Sequence, residues 1–263
     1  NTDSNIFTYS YSGNTTFSAF TNITPGTGAF VNSSNVTYTL NENITNGKVT
    51  FTQSPSVPFP LPGNDPNSPQ SVSLATGSQS EVGTTTLSNP VTLKNGATYT
   101  ISFSGTDAAG NTSAPKSVTG ITFDNSNPAF TNITPISDTS VNTSNVIYTL
   151  SENIVSGYVA YYLKSITPGA GNSVYQLSGT ELQSGTNKSL LTPPTLTNDA
   201  IYTIVISGTD AAGNNGNATL SNITFNDIPP KFTILLPTSG DNINYQNVWY
   251  TLSKNIASGT VTY

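Results

Sequence analysis

The sequence predicts an all-β chain of tandem sandwich domains, on three observations. The heptapeptide G-T-D-A-A-G-N stands at 105–111 and again, unchanged, at 208–214. Both copies follow alternating segments, A-T-Y-T-I-S-F-S and A-I-Y-T-I-V-I-S, which is the pattern of a strand with one buried face. The composition is that of strands and turns: 77 Ser and Thr, 32 Asn, 21 Gly and 17 Pro in 263 residues, with only 8% charged. No ten-residue window combines helical apolar spacing with capping residues.

A repeated loop on a repeated strand implies a repeated domain. A-F-T-N-I-T-P at 19–25 returns at 129–135 and, altered, as K-F-T-I-L-L-P at 231–237. N-V-T-Y-T-L-N-E-N-I at 35–44 returns as N-V-I-Y-T-L-S-E-N-I at 145–154 and N-V-W-Y-T-L-S-K-N-I at 247–256. The spacing is one ordinary domain. The expected divisions are an N-terminal strand segment at 1–19, repeat 1 at 20–127, repeat 2 at 128–229, and an incomplete repeat 3 at 230–263. The segment at 1–19 is the end of a preceding repeat or a donated strand. Repeat 3 holds strands A to C, and the whole is expected to form an elongated array.

Within one repeat, strand A carries Phe130 and Ile133. Strand B buries Val146, Tyr148 and Leu150, as Val36, Tyr38 and Leu40 do in repeat 1. A turn at Gly157 leads to strand C with Val159 and Tyr161. Strands D and E carry Val174, Leu177, Leu182 and Leu190. Strand F ends in the heptapeptide, and L-S-N-I-T-F at 220–225 is strand G. Seven short strands separated by turn signals are the count of an immunoglobulin-like sandwich. Tyr99 and Tyr202 each start strand F after a Leu and a turn, which predicts a tyrosine corner: a hydroxyl bonded to a backbone group upstream.

The combination Y-T-L-S-E-N-I, E-L-Q-S-G-T, I-Y-T-I-V-I-S-G-T-D-A-A-G-N and a closing F-D or F-N-D resembles the bacterial Ig-like repeats found in tandem in large cell-surface adhesins and secreted proteins. The resemblance covers nearly all of 20–263. It implies an extracellular spacer or adhesive stalk, often rigidified by calcium between domains, with a surface or glycan ligand. The expected partners are further repeats of the same chain or neighbouring identical subunits.

The net charge of −6 argues against nucleic-acid binding, and no stretch is apolar enough to insert in a membrane. With no Met, the chain reads as a processed product or a piece of something longer. The absence of Cys says little about compartment. Without His or Cys the usual nucleophile–base pairs and zinc sites are excluded, so no enzymatic activity is expected.

Six of the thirteen carboxylates recur at repeat-equivalent positions: Glu42, Asp107, Asp124, Glu152, Asp210 and Asp227. In this sandwich the B–C and F–G loops lie where the chain enters the domain. Glu152, Asp210 and the connecting Asp124 should therefore converge at the junction of repeats 1 and 2 and offer a calcium site. Glu42 and Asp107 form a weaker partial site, since the segment at 11–18 has no Asp. In repeat 3 the Glu has become Lys254, expected to face Asp227 in place of an ion. The bland alternative is that these acids bond their own loops and stay solvated.

Eleven N-x-S/T sequons occur, from Asn14 to Asn222, but composition alone yields about nine, so they permit glycosylation without arguing for it. The segment at 54–69 holds six Pro and reads as a stiffened C–D loop or a specific contact. F-T-Y-S-Y-S-G at 7–13 resembles a strand F with no room for a following strand G. Three functions follow in order: a stalk, a filament subunit joined by strand exchange, and an accessory region of a secreted carbohydrate-active enzyme.

Overall fold

The computed structural model describes residues 15–54, 69–75, 77–164, 169 and 171–262. The segment at 7–13, the proline-rich stretch apart from Ser54 and Pro69, and Tyr263 lie outside them. The chain is all β. Repeat 1 comprises β1 (Phe20–Thr24), β2 (Phe30–Val31), β3 (Val36–Leu40), β4 (Asn46–Ser54), β5 (Gln70–Ser73), β6 (Gly83–Leu87), β7 (Thr98–Thr106) and β8 (Lys116–Phe123). Repeat 2 gives β9 (Phe130–Thr134), β10 (Ser140–Val141), β11 (Ile147–Leu150), β12 (Ser156–Leu163), β13 (Ser173–Gln176), β14 (Gly185–Ser189), β15 (Ala200–Thr209) and β16 (Asn215–Phe225). After these come β17 (Phe232–Leu236) and β18 (Trp249–Leu252). Among the described residues no helix is long and apolar enough to cross a membrane.

Each repeat makes the same two sheets. In repeat 1 they are ordered β1-β3-β6 and β2-β8-β7-β4-β5; in repeat 2, β9-β11-β14 and β10-β16-β15-β12-β13. The inward residues are the alternate apolar ones. Tyr38, Leu40, Tyr99 and Ile101 are at most 2% exposed, as are Tyr148, Leu150, Tyr202 and Ile204. In repeat 1 the rings of Phe20, Tyr38 and Phe103 pack with centroids 5.4–5.9 Å apart, in the tilted and edge geometries that aromatic quadrupoles favour. The outward Thr are paired across strands, Thr37 with Thr86 and Thr39 with Thr84, each at 2.8 Å.

The tyrosine corner is present in both repeats. The Tyr99 hydroxyl accepts the backbone N–H of Lys94 at 2.8 Å, and the Tyr202 hydroxyl accepts that of Thr197 at 3.1 Å. Tyr202→Phe should cost about 1–3 kcal/mol, because it orphans a sheltered N–H. A urea midpoint unchanged from the parent would show that the hydroxyl is idle.

Three expectations need correction. Each repeat has eight strands and not the expected seven, because strand A is split between the sheets: β1 pairs with β3 antiparallel, and β2 pairs with β8 in parallel. The strand expected as D instead extends the five-stranded sheet, where β13 pairs with β12. There Val174 is 55% exposed rather than buried, because the inward position of this edge strand is taken by Tyr175, whose hydroxyl bonds Glu181. Leu182 ends a 3₁₀ turn, Gly179–Leu182, and is only half-buried. In repeat 3, strands A and B form β17 and β18, but no strand C appears among residues 253–262, and Val261 is 52% exposed. In repeat 1 strand C is held by β7 and β5; the described part of repeat 3 has neither counterpart.

The chain divides into two compact units. The first is Asn1–Ala129 with Glu152–Ser156 and Gly208–Gly216; the second is Phe130–Ser151, Gly157–Ser207 and Asn217–Tyr263. The tips of two loops of repeat 2 thus belong to the first unit.

Candidate metal centre

The repeated heptapeptide is a self-bonded turn. In the second copy the Asp210 N–H donates to the Asn214 carbonyl at 3.0 Å, and the Gly213 N–H returns to the Asp210 carbonyl at 3.3 Å. Asp210 Oδ1 accepts the backbone N–H groups of Ala212 and Asn214, each at 2.8 Å, and Oδ2 accepts the Asn214 side-chain amide at 2.8 Å. The first copy repeats the lock between Asp107 and Asn111 at 2.8 and 2.9 Å. Gly110 and Gly213 sit at φ 87° and 90°, which side chains resist. The Asn111 amide, helped by backbone N–H groups and opposed by burial, holds the Asp107 carboxyl below its usual range.

Three elements bring acids together in the first unit. Asp124 leaves β8 with its N–H on the Val31 carbonyl, while its Oδ1 accepts the Ser126 N–H. Glu152 lies in the β11–β12 loop, pinned by buried Ile154 and by the Val155 N–H on the Thr209 carbonyl. Asp210 comes from the heptapeptide turn. The Asn214 amide donates both to Asp210 and, at 2.8 Å, to the Asp124 carbonyl, so it fastens the turn to the connecting strand. Gly216 permits a close approach here: a Cβ on it would lie 1.7 Å from the Pro128 carbonyl oxygen.

One oxygen from each of Asp124, Glu152 and Asp210 lies within 4.8 Å of the other two. Among the described residues this is the one such group of three. Burial, then the charges of Asp124 and Asp210, then a hydrogen bond with Asp124, push the Glu152 carboxyl above its ordinary value. The donor set is all oxygen, which suits a hard cation. Calcium–oxygen distances of about 2.3–2.6 Å limit two ligand oxygens to roughly 5 Å apart, and this group respects that limit.

The other expected positions fare unequally. Glu42 and Asp107 line one surface cleft with Asn41, Asn43 and Val82. No third acid joins them among the described residues. Lys254 does not face Asp227: its Nζ donates to Asn226 Oδ1 at 2.8 Å, and Asn226 donates on to Asp199. The reason is register. F-D-N at 123–125 becomes F-N-D at 225–227, so Asn226 takes the place of Asp124 and Asp227 falls one residue beyond it. Asp227 is exposed.

Two polar anchors escaped sequence reading. Asn214 closes the quoted heptapeptide, and its i, i+4 spacing from Asp210 was the available signal. Glu181, from the quoted E-L-Q-S-G-T, is 1% exposed. It accepts from the Tyr175 hydroxyl at 2.9 Å and from the Ser178 and Leu191 N–H groups at 2.8 Å each. It staples the crossover between the sheets of repeat 2.

No family model matches this sequence, and no curated protein matches it. Among solved structures the chain is similar to a 1.5-MDa bacterial ice-binding adhesin studied for host cell-surface retention, at 14% identity and TM-score 0.30, covering 75% of this chain and 61% of that one. It is also similar to dimeric latent PorU from Porphyromonas gingivalis, at 14% identity and TM-score 0.29, covering 84% of this chain and 25% of that one. The chain thus spans less than two-thirds of either. At TM-scores this low, neither likeness assigns it a fold or a role.

Proposed function

We propose that this chain is a structural and adhesive stalk segment of a prokaryotic extracellular surface protein, built of tandem Ig-like repeats. One observation supports this above all. The two repeats rebuild the same sandwich, the same tyrosine corner and the same Asp–Asn turn. Duplicating a scaffold down to its loop locks serves length and rigidity; a reaction centre needs to be made once. Calcium at Asp124, Glu152 and Asp210, with the partial set Glu42 and Asp107, would stiffen the chain in that role. Immunogold electron microscopy of the producing cells tests the reading: label on surface fibres supports it, and label confined to the cytoplasm overturns it.

A second reading, a filament subunit joined by strand complementation, is favoured by β18. In repeats 1 and 2 the corresponding strands are flanked by β6 and β14. Among the described residues β18 pairs with β17 alone, and Phe232 and Tyr250 are 50% and 48% exposed. Such an edge invites a partner strand. Deleting residues 1–13 should then leave monomers without fibres; normal polymerisation of that truncated chain would exclude donation by this segment.

A further inference from the structure

Repeat 3 carries aromatic residues on both faces of its strand pair, and only one face is that of a core. Phe232 and Tyr250, with ring centroids 5.4 Å apart, correspond to Phe20 and Tyr38 of repeat 1 and to Phe130 and Tyr148 of repeat 2. These are the inward positions. Trp249 precedes Tyr250 and so points the other way. There it meets Tyr245 of the preceding loop, with centroids 5.4 Å apart and planes at 69°. Leu236 is its cross-strand neighbour.

The outward face holds Thr24 and Thr37 in repeat 1 and Thr134 and Ile147 in repeat 2, where repeat 3 has Leu236 and Trp249. Tyr245 replaces Ser33 and Thr143. In the complete sandwiches this face is not covered by the second sheet: Thr24 and Thr134 are exposed, and Thr37 bonds sideways to Thr86 of the adjacent strand. Trp249 and Tyr245, 52% and 42% exposed, are therefore not core residues lacking a lid.

The surroundings define a partner. Residues 242–252 contain no charged side chain. Asp241 is held within its own turn by the Thr238 N–H and hydroxyl at 2.6 and 2.9 Å. Asn242, Asn244 and Asn247 are exposed in the same stretch of chain, Asn244 next to Tyr245 and Asn247 two residues before Trp249, and offer donors and acceptors alike. A half-exposed indole with a tyrosine ring edge-on to it, in a stretch whose polar side chains are neutral, fits a ligand with an apolar face and a belt of hydroxyls. We propose that Trp249 and Tyr245 form a platform for a neutral glycan, a pyranose ring lying its C–H face on the indole while its hydroxyls bond the flanking amides. The proposal rests on the reading of this chain as an extracellular adhesive segment and names the chemistry of its ligand.

Trp249 is the one tryptophan of the chain, so its emission reports this site alone. The intact chain is titrated with cellohexaose, laminarihexaose, mannohexaose and maltohexaose at low and high salt. At least one is expected to change the emission saturably and independently of salt. Tyr245→Ser, which installs the repeat 1 residue, should weaken that binding about tenfold. Trp249→Thr, again the repeat 1 residue, should melt as the parent does yet lose retention on the same glycan immobilised. The proposal fails if none of the four sugars changes the emission, or if Tyr245→Ser binds as tightly as the parent. It fails equally if the emission follows protein concentration instead of sugar, which would make a second copy of the chain the occupant. Each failure leaves the surface-protein reading standing, because that reading is judged by cellular location.

Discussion

Tyr148→Ala should destabilise repeat 2 by about 3–5 kcal/mol, the cost of emptying a buried aromatic site. The side chain has no exposed surface, its ring packs edge-on to Phe130 at 5.6 Å, and its hydroxyl donates to the Glu181 carbonyl at 2.9 Å. The substitution therefore opens a cavity and frees the crossover that Glu181 staples. Tyr148→Phe separates the two effects: it keeps the ring and loses only the hydroxyl bond, at about 1 kcal/mol. Hydrogen exchange in urea on the full chain gives the readout. Protection should fall across 130–225 while the β3, β4 and β7 amides of repeat 1 keep theirs. An Ala variant within about 1 kcal/mol of the parent would mean that the core does not depend on this residue.

If calcium binds at Asp124, Glu152 and Asp210, it should raise the melting temperature of the metal-free chain, and more so near neutral pH than in acid. At a free concentration a hundred times the dissociation constant, the stabilisation is about 2.7 kcal/mol. The pH sign follows from Glu152. Its carboxyl is raised in the folded chain above the ordinary 4.5, by burial first and by Asp124 and Asp210 next. Its contribution to metal-free stability is thus full below pH 4.5 and is lost as pH rises through the folded value. Bound calcium would replace the proton and restore what deprotonation removes. Asp107 acts with the opposite sign: its carboxyl is lowered below 3.8, so its contribution is present above that value and lost as pH falls through the folded one. Glu152→Gln should abolish the calcium response and flatten the alkaline loss, because it keeps the shape and removes the charge. Magnesium, with its shorter bonds and tighter octahedron, should not substitute. Melting curves that coincide in calcium and in chelator at neutral pH would dismiss the ion.

The sequence by itself determined the all-β architecture, the repeat length and the inward set. These are local facts: alternation fixes which side of a strand is apolar, and a seven-residue turn bonded to itself needs nothing beyond its own Asp, Gly and Asn. The tyrosine corners were legible for the same reason, since the bond spans five residues. Tertiary structure alone decided what depends on pairing. The split of strand A between sheets and the move of β13 onto β12 turn on which edge is free, and no residue pattern records that. The meeting of Asp124, Glu152 and Asp210 was expected from loop topology, but the Asn214 amide that fastens it joins groups ninety residues apart. The pairing of Lys254 with Asn226 turned on a one-residue register, where alternation reverses every side chain. Strand C of repeat 3 shows the same limit from the other side: Val261 stands at the position of Val159, yet residues 253–262 form no strand.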